Sequence, residues 1–121
     1  MKILIVEDNE MNMKLFEDIL IYLKYNIDKA YNGKEAYDKI IKNEYNLVIL
    51  DIQLPEMNGF EILEKLNRNN IKMPKILITS AYAMDSDKAK AKEFGIENYI
   101  TKPIDIKKFS ETIKKLSEEI C

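Results

Sequence analysis

Apolar positions along the chain follow two alternating rhythms. Short, nearly unbroken runs occur at Lys2–Val6, Ile27–Tyr31, Asn46–Leu50, Lys75–Thr79 and Asn98–Thr101. The first, third and fourth are almost wholly aliphatic, the pattern of strands covered on both faces. Between the runs, apolar residues recur at three- and four-residue steps, the period of a helix with one buried stripe. Met11, Leu15, Ile19 and Tyr22 form the first such stripe, then Ala36, Ile40 and Ile41, then Ile62, Leu63 and Leu66. The last is Ile106, Phe109, Ile113, Leu116 and Ile120. Asn32, Asn58 and Asp105 are placed to cap helix N-termini, and Gly95 to end a helix over Lys88–Phe94.

The pattern is a strand followed by a helix, five times over, without repeats or linkers, and the whole of residues 1–121 reads as one domain. Five such units predict an α/β fold: a doubly wound, parallel five-stranded sheet with helices on both faces, a three-layer sandwich. Right-handed crossovers point all five strands the same way, so their carboxyl ends open on one rim. Ligands of such sheets bind beyond that rim, where the strand order reverses. The residues that follow each strand are therefore the place to look for chemistry.

Those residues are Glu7 and Asp8 after the first strand, and Asp51 with Ile52-Gln53-Leu54-Pro55 after the third. Ser80 and Ala81 follow the fourth, and Lys102-Pro103 the fifth. Each has an ordinary explanation by itself. Asp8 or Asn9 serves as a helix cap, Asp51 as a turn residue, Lys102 as a solvated rim lysine. Their joint placement on successive strand ends points to a site instead. Two carboxylates on adjacent strands, ~5 Å apart, repel by roughly 3 kcal/mol at an effective dielectric near 20. Three call for protonation or a cation, and an all-oxygen, partly hydrated set suits magnesium better than a transition metal.

Composition narrows the chemistry. The formal charge of −2 does not suit a general nucleic-acid binder. Arg68 is the single arginine, so bidentate guanidinium clamps on phosphate are nearly excluded. The chain has no histidine, which removes Ser-His-Asp triads, the usual zinc sites and phosphohistidine carriers of its own. Its one cysteine is Cys121, so no internal disulfide framework exists. Without a signal peptide or an 18-residue apolar span, a cytoplasmic protein is expected. A flavin binder of this architecture would need a Ser/Thr/Gly loop after the first strand, and none of Gly33, Gly59 or Gly95 lies there. A phosphatase of the haloacid dehalogenase type would want a second acid two residues after Asp51, where Gln53 stands.

Magnesium held by carboxylates, with a lysine opposite, is a clamp for a transferring phosphoryl group. A carboxylate is then the nucleophile, and Asp51, alone at the end of a central strand, is the candidate. The metal and Lys102 neutralise developing charge, and Ser80 donates a hydrogen bond to a phosphoryl oxygen.

Glu7-Asp8, "LVILDIQLPEMNG", "ITSAYAM" and "YITKP" together resemble the receiver domain of bacterial two-component response regulators, over essentially the whole chain and in the family's order. The resemblance implies a flavodoxin-like sheet with strand order 2-1-3-4-5. It makes Asp51 the phosphoacceptor, with Asp8 and Asp51 binding Mg2+ directly, Glu7 largely through water, and Gln53 by its backbone carbonyl. It makes Lys102 the partner of the phosphoryl group, followed by a cis bond to Pro103, and Ser80 with Tyr99 the switch pair. Gln53 and Tyr82 would border the phosphoryl group and tune its hydrolysis. Ser80 replaces a commoner threonine and keeps the hydroxyl.

Such a chain is expected to take phosphate from a sensor histidine kinase or a histidine phosphotransfer protein. It would promote its own phosphorylation and dephosphorylation rather than turn over an external substrate. It would signal by protein–protein contact through the face of the fourth helix, fifth strand and fifth helix, without nucleic acid or membrane, as a monomer or a weak phosphorylation-dependent dimer. Met1 directly before the first strand favours a stand-alone regulator, somewhat like the receivers of cell-division control, over a piece excised from a hybrid kinase. A pseudo-receiver that binds partners without phosphorylation is the remaining alternative. The first helix carries more apolar residues than one stripe needs, among them Met13, Phe16, Leu20, Ile21 and Tyr22. Either the helix is simply a thick core helix or it offers a docking patch for a histidine phosphotransfer protein or kinase. For docking, Met13, off the Met11–Leu15–Ile19 stripe, is the residue expected to be exposed.

Overall fold

The computed structural model describes residues 1–81 and 84–120. Strands and helices alternate as β1 (Lys2–Val6), α1 (Glu10–Tyr22), β2 (Asn26–Ala30), α2 (Gly33–Lys42), β3 (Leu47–Asp51), α3 (Gly59–Arg68), β4 (Lys75–Ser80), α4 (Asp85–Glu93), β5 (Tyr99–Thr101) and α5 (Ile106–Ile120). All four strand pairings are parallel, in the order β2-β1-β3-β4-β5. The expected order 2-1-3-4-5 is therefore the observed one, and β1 and β3 flank the point where it reverses.

Side-chain alternation along the strands divides the interior in two. Leu4, Val6, Val48, Leu50, Ile76 and Ile78 pack under α2, α3 and α4. Ile3, Ile5, Leu47, Ile49, Leu77 and Ile100 pack under α1 and α5, where the rings of Phe16 and Phe109 lie 5.1 Å apart. Both faces of β1, β3 and β4 are covered, which is why their sequences are aliphatic throughout.

The helix starts follow their caps. The Asn32, Asn58 and Asp105 side chains accept from the backbone N–H groups of Glu35, Glu61 and Lys108 at 2.8, 3.0 and 3.0 Å. Gly95, at φ +75, ends the turn after α4, in the left-handed region that glycine enters without a Cβ penalty. Asn9 caps α1 by accepting from Asn12 N at 2.9 Å, so the capping role considered for Asp8 belongs to its neighbour.

The phase of α1 differs from the expected one. Met13, Phe16, Ile19 and Leu20 face the sheet, while Met11 and Tyr22 are 83% and 84% exposed. Met13 is buried at 2%, which overturns its assignment as the exposed methionine. The helix carries apolar residues on two neighbouring stripes, and contact with α5 and the sheet decides which one is covered. Ile41 and Ile106, assigned to buried stripes, are likewise exposed. Among the described residues no helix is long and apolar enough to cross a membrane.

Candidate functional site

The carboxyl rim gathers the residues that end β1, β3 and β5. The pairing of Val6 with Leu50 sets Glu7 beside Asp51, and carboxylate oxygens of Glu7, Asp8 and Asp51 all lie within 4.8 Å of one another. Glu7 and Asp51 are buried, whereas Asp8 is exposed at the mouth. Asn9 takes the cap of α1, which leaves the Asp8 carboxylate for the rim.

Lys102 supplies the positive charge. Its ammonium lies 2.6 Å from Glu7 Oε1 and 2.8 Å from Asp51 Oδ2, with 14% of its side chain exposed. It reaches inward from the loop after β5, where its own N–H bonds the Ser80 carbonyl at 2.6 Å and its peptide bond to Pro103 is cis. Burial by itself depresses an ammonium, but the hydrogen bonds to Asp51 and Glu7 outweigh it and hold Lys102 above its ordinary value. Glu7 moves the other way from the usual carboxylate. Burial pushes it up to about 7, and the hydrogen bonds from Lys102 and the Asn9 amide only partly offset this. Two buried acids share one buried base, and Glu7 is the acid whose burial favours its protonated form.

The loop after β3 is fixed around Asp51. The Gln53 amide donates to Asp51 Oδ1 at 2.9 Å, and the Gln53 side-chain oxygen accepts from the Ala81 amide at 3.0 Å. Gln53 thereby ties the β3 loop to the first residue beyond β4. Gly59, which opens α3, is where a side chain would not fit. A Cβ there would stand 2.9 Å from the Asp51 carbonyl oxygen and 3.0 Å from Ile52 Cα.

Ser80 and Tyr99 form a second group. Ser80 is fully buried and, by alternation, shares its face with Ile78 under α2–α4. Its side chain hydrogen-bonds Tyr99. Burial, joined by the charges of Asp87 and Asp51, raises the Tyr99 phenol against the lowering effect of Ser80. Lys88 of α4 lies 5.9 Å from the centre of the Tyr99 ring. Tyr99 therefore touches both the rim hydroxyl and the fourth helix. Tyr82, expected to border the phosphoryl group, lies outside the described residues.

Two features were not legible in the rim motifs. One is the direct Glu7–Lys102 pair, which joins residues 95 positions apart. The other is Thr79, a fully buried hydroxyl beside Asp51 in the sheet register. The sequence carries a signal for Thr79, a hydroxyl within "KILITS" one residue before Ser80.

Oxygens this close, two of them buried, fit a small divalent cation as donors. Residues 3–114 match the model of the response regulator receiver domain. The polar-differentiation response regulator DivK of Brucella anthropi is 39% identical over 113 residues, covering 93% of this chain and 92% of that protein. Among solved structures, the response regulator TrrA of Thermotoga maritima in complex with Mg2+-BeF shares 32% identity at a TM-score of 0.81, covering 95% of this chain and 97% of that one. A two-component response regulator from Clostridium difficile shares 27% at a TM-score of 0.88, covering 97% and 95%. With the receiver model spanning nearly the whole sheet and its acidic rim, the chain belongs to the response regulator receiver domain family.

Proposed function

We propose that this receiver is a phosphorylation-activated switch that accepts a phosphoryl group on Asp51 from a phosphohistidine donor protein. One observation carries the reading: the Asp51 carboxylate lies within 4.8 Å of those of Glu7 and Asp8 and receives the buried Lys102 ammonium. A carboxylate oxygen of Asp51 attacks phosphorus, the P–N bond to the donor imidazole breaks, and an acyl phosphate remains on Asp51. The donor histidine lies outside residues 1–121, which contain none. A sensor histidine kinase or a histidine phosphotransfer protein is the partner that fits.

Glu7, Asp8 and Asp51, with the Gln53 backbone carbonyl, are the residues to hold Mg2+. The ion supplies charge neutralisation for incoming phosphate at a rim that is otherwise repulsive to anions. Lys102 gives the phosphoryl oxygens a second cation, and Gln53 holds Asp51 Oδ1 through its amide. Ser80 donates to the phosphoryl group, which releases Tyr99 from its present hydrogen bond. Because Tyr99 also contacts Lys88, its movement alters the face formed by α4, β5 and α5, and a downstream protein reads that change.

The test is intact mass after incubation with acetyl phosphate and Mg2+. Wild type should gain one phosphoryl group, and both Asp51→Asn and Mg2+ omission should abolish the gain. A wild type that gains nothing would favour a receiver that binds partners without being phosphorylated.

A further inference from the structure

Strand register places one more polar group in the row that carries the site. Asp51 pairs with Thr79, and Thr79 pairs with Ile100, while Glu7 follows Val6 on the other side of β3. Glu7, Asp51, Thr79 and Ile100 fall on the sheet face of Ile5, Ile49 and Leu77. Thr79 is fully buried, and its Oγ1 has no hydrogen-bond partner among the described residues. A buried hydroxyl without a partner costs free energy that valine, with the same shape, would not. Packing therefore does not explain the choice of threonine.

Lys102 does. It leaves the sheet two residues after Ile100, on the far side of β4 from Asp51 and Glu7. To reach them its side chain must cross the end of β4, and the residue of β4 on that face is Thr79. The ammonium has three N–H donors, and Glu7 and Asp51 take two. A divalent cation on those carboxylates competes with it directly. An ammonium that gives up Glu7 inside this cleft needs a replacement acceptor, because an unsatisfied buried donor is costly.

We propose that Thr79 is a positioning residue whose hydroxyl accepts from the Lys102 ammonium when that ammonium yields Glu7. The inference rests on the metal site of the proposed function, though not on phosphorylation. The lysine then has two positions: paired with Glu7 when no cation is bound, and held over β4 by Thr79 when the carboxylates take one.

The experiment is a Mg2+ titration of the full chain, followed by amide chemical shifts, for wild type, Thr79→Val and Thr79→Ser. Thr79→Val should weaken Mg2+ about fivefold, the equivalent of one hydrogen bond, and Thr79→Ser should stay within about twofold of wild type. In a Lys102→Met background, Thr79→Val should change Mg2+ affinity by less than about twofold, since the residue acts through the lysine. Metal-free Thr79→Val should melt at or above wild type, because it loses only an unpartnered group. Wild-type affinity in Thr79→Val, an equal loss in the Lys102→Met background, or a clear drop in metal-free melting temperature would each overturn the inference. A wild type that binds Mg2+ but gains no phosphoryl group would sink the phosphoacceptor reading alone. One that binds no Mg2+ would sink the metal site and the Thr79 role together.

Discussion

Lys102 Nζ lies 2.6 Å from Glu7 Oε1, a carboxylate expected to serve the metal. The same ammonium reaches Asp51 at 2.8 Å. Lysine and magnesium are therefore rivals for one set of oxygens. Four measurable consequences follow from this arrangement and from the packing that supports it.

Glu7 makes metal-free stability depend on pH. Its carboxyl is raised from 4.5 to about 7 on folding, so between those values the native state holds a proton that the unfolded chain has released. The contribution of this group to stability is then greatest below about 4.5, falls as pH rises towards 7, and levels off above it. A shift of this size corresponds to a loss on the order of 3 kcal/mol across the window. Urea unfolding in chelator at pH 5 and pH 8 should show the decline. Glu7→Gln should flatten it, and an unchanged slope in that variant would assign the effect to other groups.

Removing the lysine should be costly without metal. Lys102→Met strands Glu7 and Asp51 with no counter-charge in a buried site, for which about 3–5 kcal/mol is expected. The loss should be smaller at pH 6, where Glu7 escapes by protonation, than at pH 8. Millimolar Mg2+ should restore much of it. Denaturant midpoints with and without Mg2+ decide the matter, and equal stability of variant and wild type in chelator would contradict it.

Donor contact and folding should separate along α1. Met13→Glu buries an unpaired charge under the sheet and should lower stability by several kcal/mol. Met11→Glu, on the exposed stripe, should stay within about 0.5 kcal/mol of wild type. If the donor protein docks on this stripe, Met11→Glu should slow phosphotransfer from it and leave acetyl phosphate labelling unchanged. Equal slowing of both would rule out a docking role.

Helix propensity alone favours alanine over glycine by up to about 1 kcal/mol. At Gly59 the sign should reverse, because a Cβ meets the backbone of Asp51 and Ile52 rather than a flexible side chain. Gly59→Ala should lower stability by roughly 1–3 kcal/mol, the usual range for overpacking. It should also slow phosphorylation, as the displaced strand end carries Asp51, the proposed acceptor. A stabilised Gly59→Ala would show that the close approach relaxes freely.

Local chemistry made much of this protein readable from its residues. The aliphatic runs ending in Glu7-Asp8, Asp51, Ser80 and Lys102 specify strands and what stands at their ends, because a parallel strand covered on both faces has no room for charge until it emerges. Asn32, Asn58 and Asp105 announce helix starts for a reason that lies within four residues of chain. What needed the folded molecule involved competition between distant groups. Which stripe of α1 is buried depends on Phe109 opposite Phe16, not on the period of α1 itself. Whether Asp8 or Asn9 caps that helix depends on where the strand actually stops. The lysine's choice of Glu7 as well as Asp51 depends on strand order, which brings β1, β3 and the end of β5 to one rim. Thr79 looks like any threonine in a strand until register sets it beside Asp51, beneath the path of Lys102, with a hydroxyl that no described residue hydrogen-bonds.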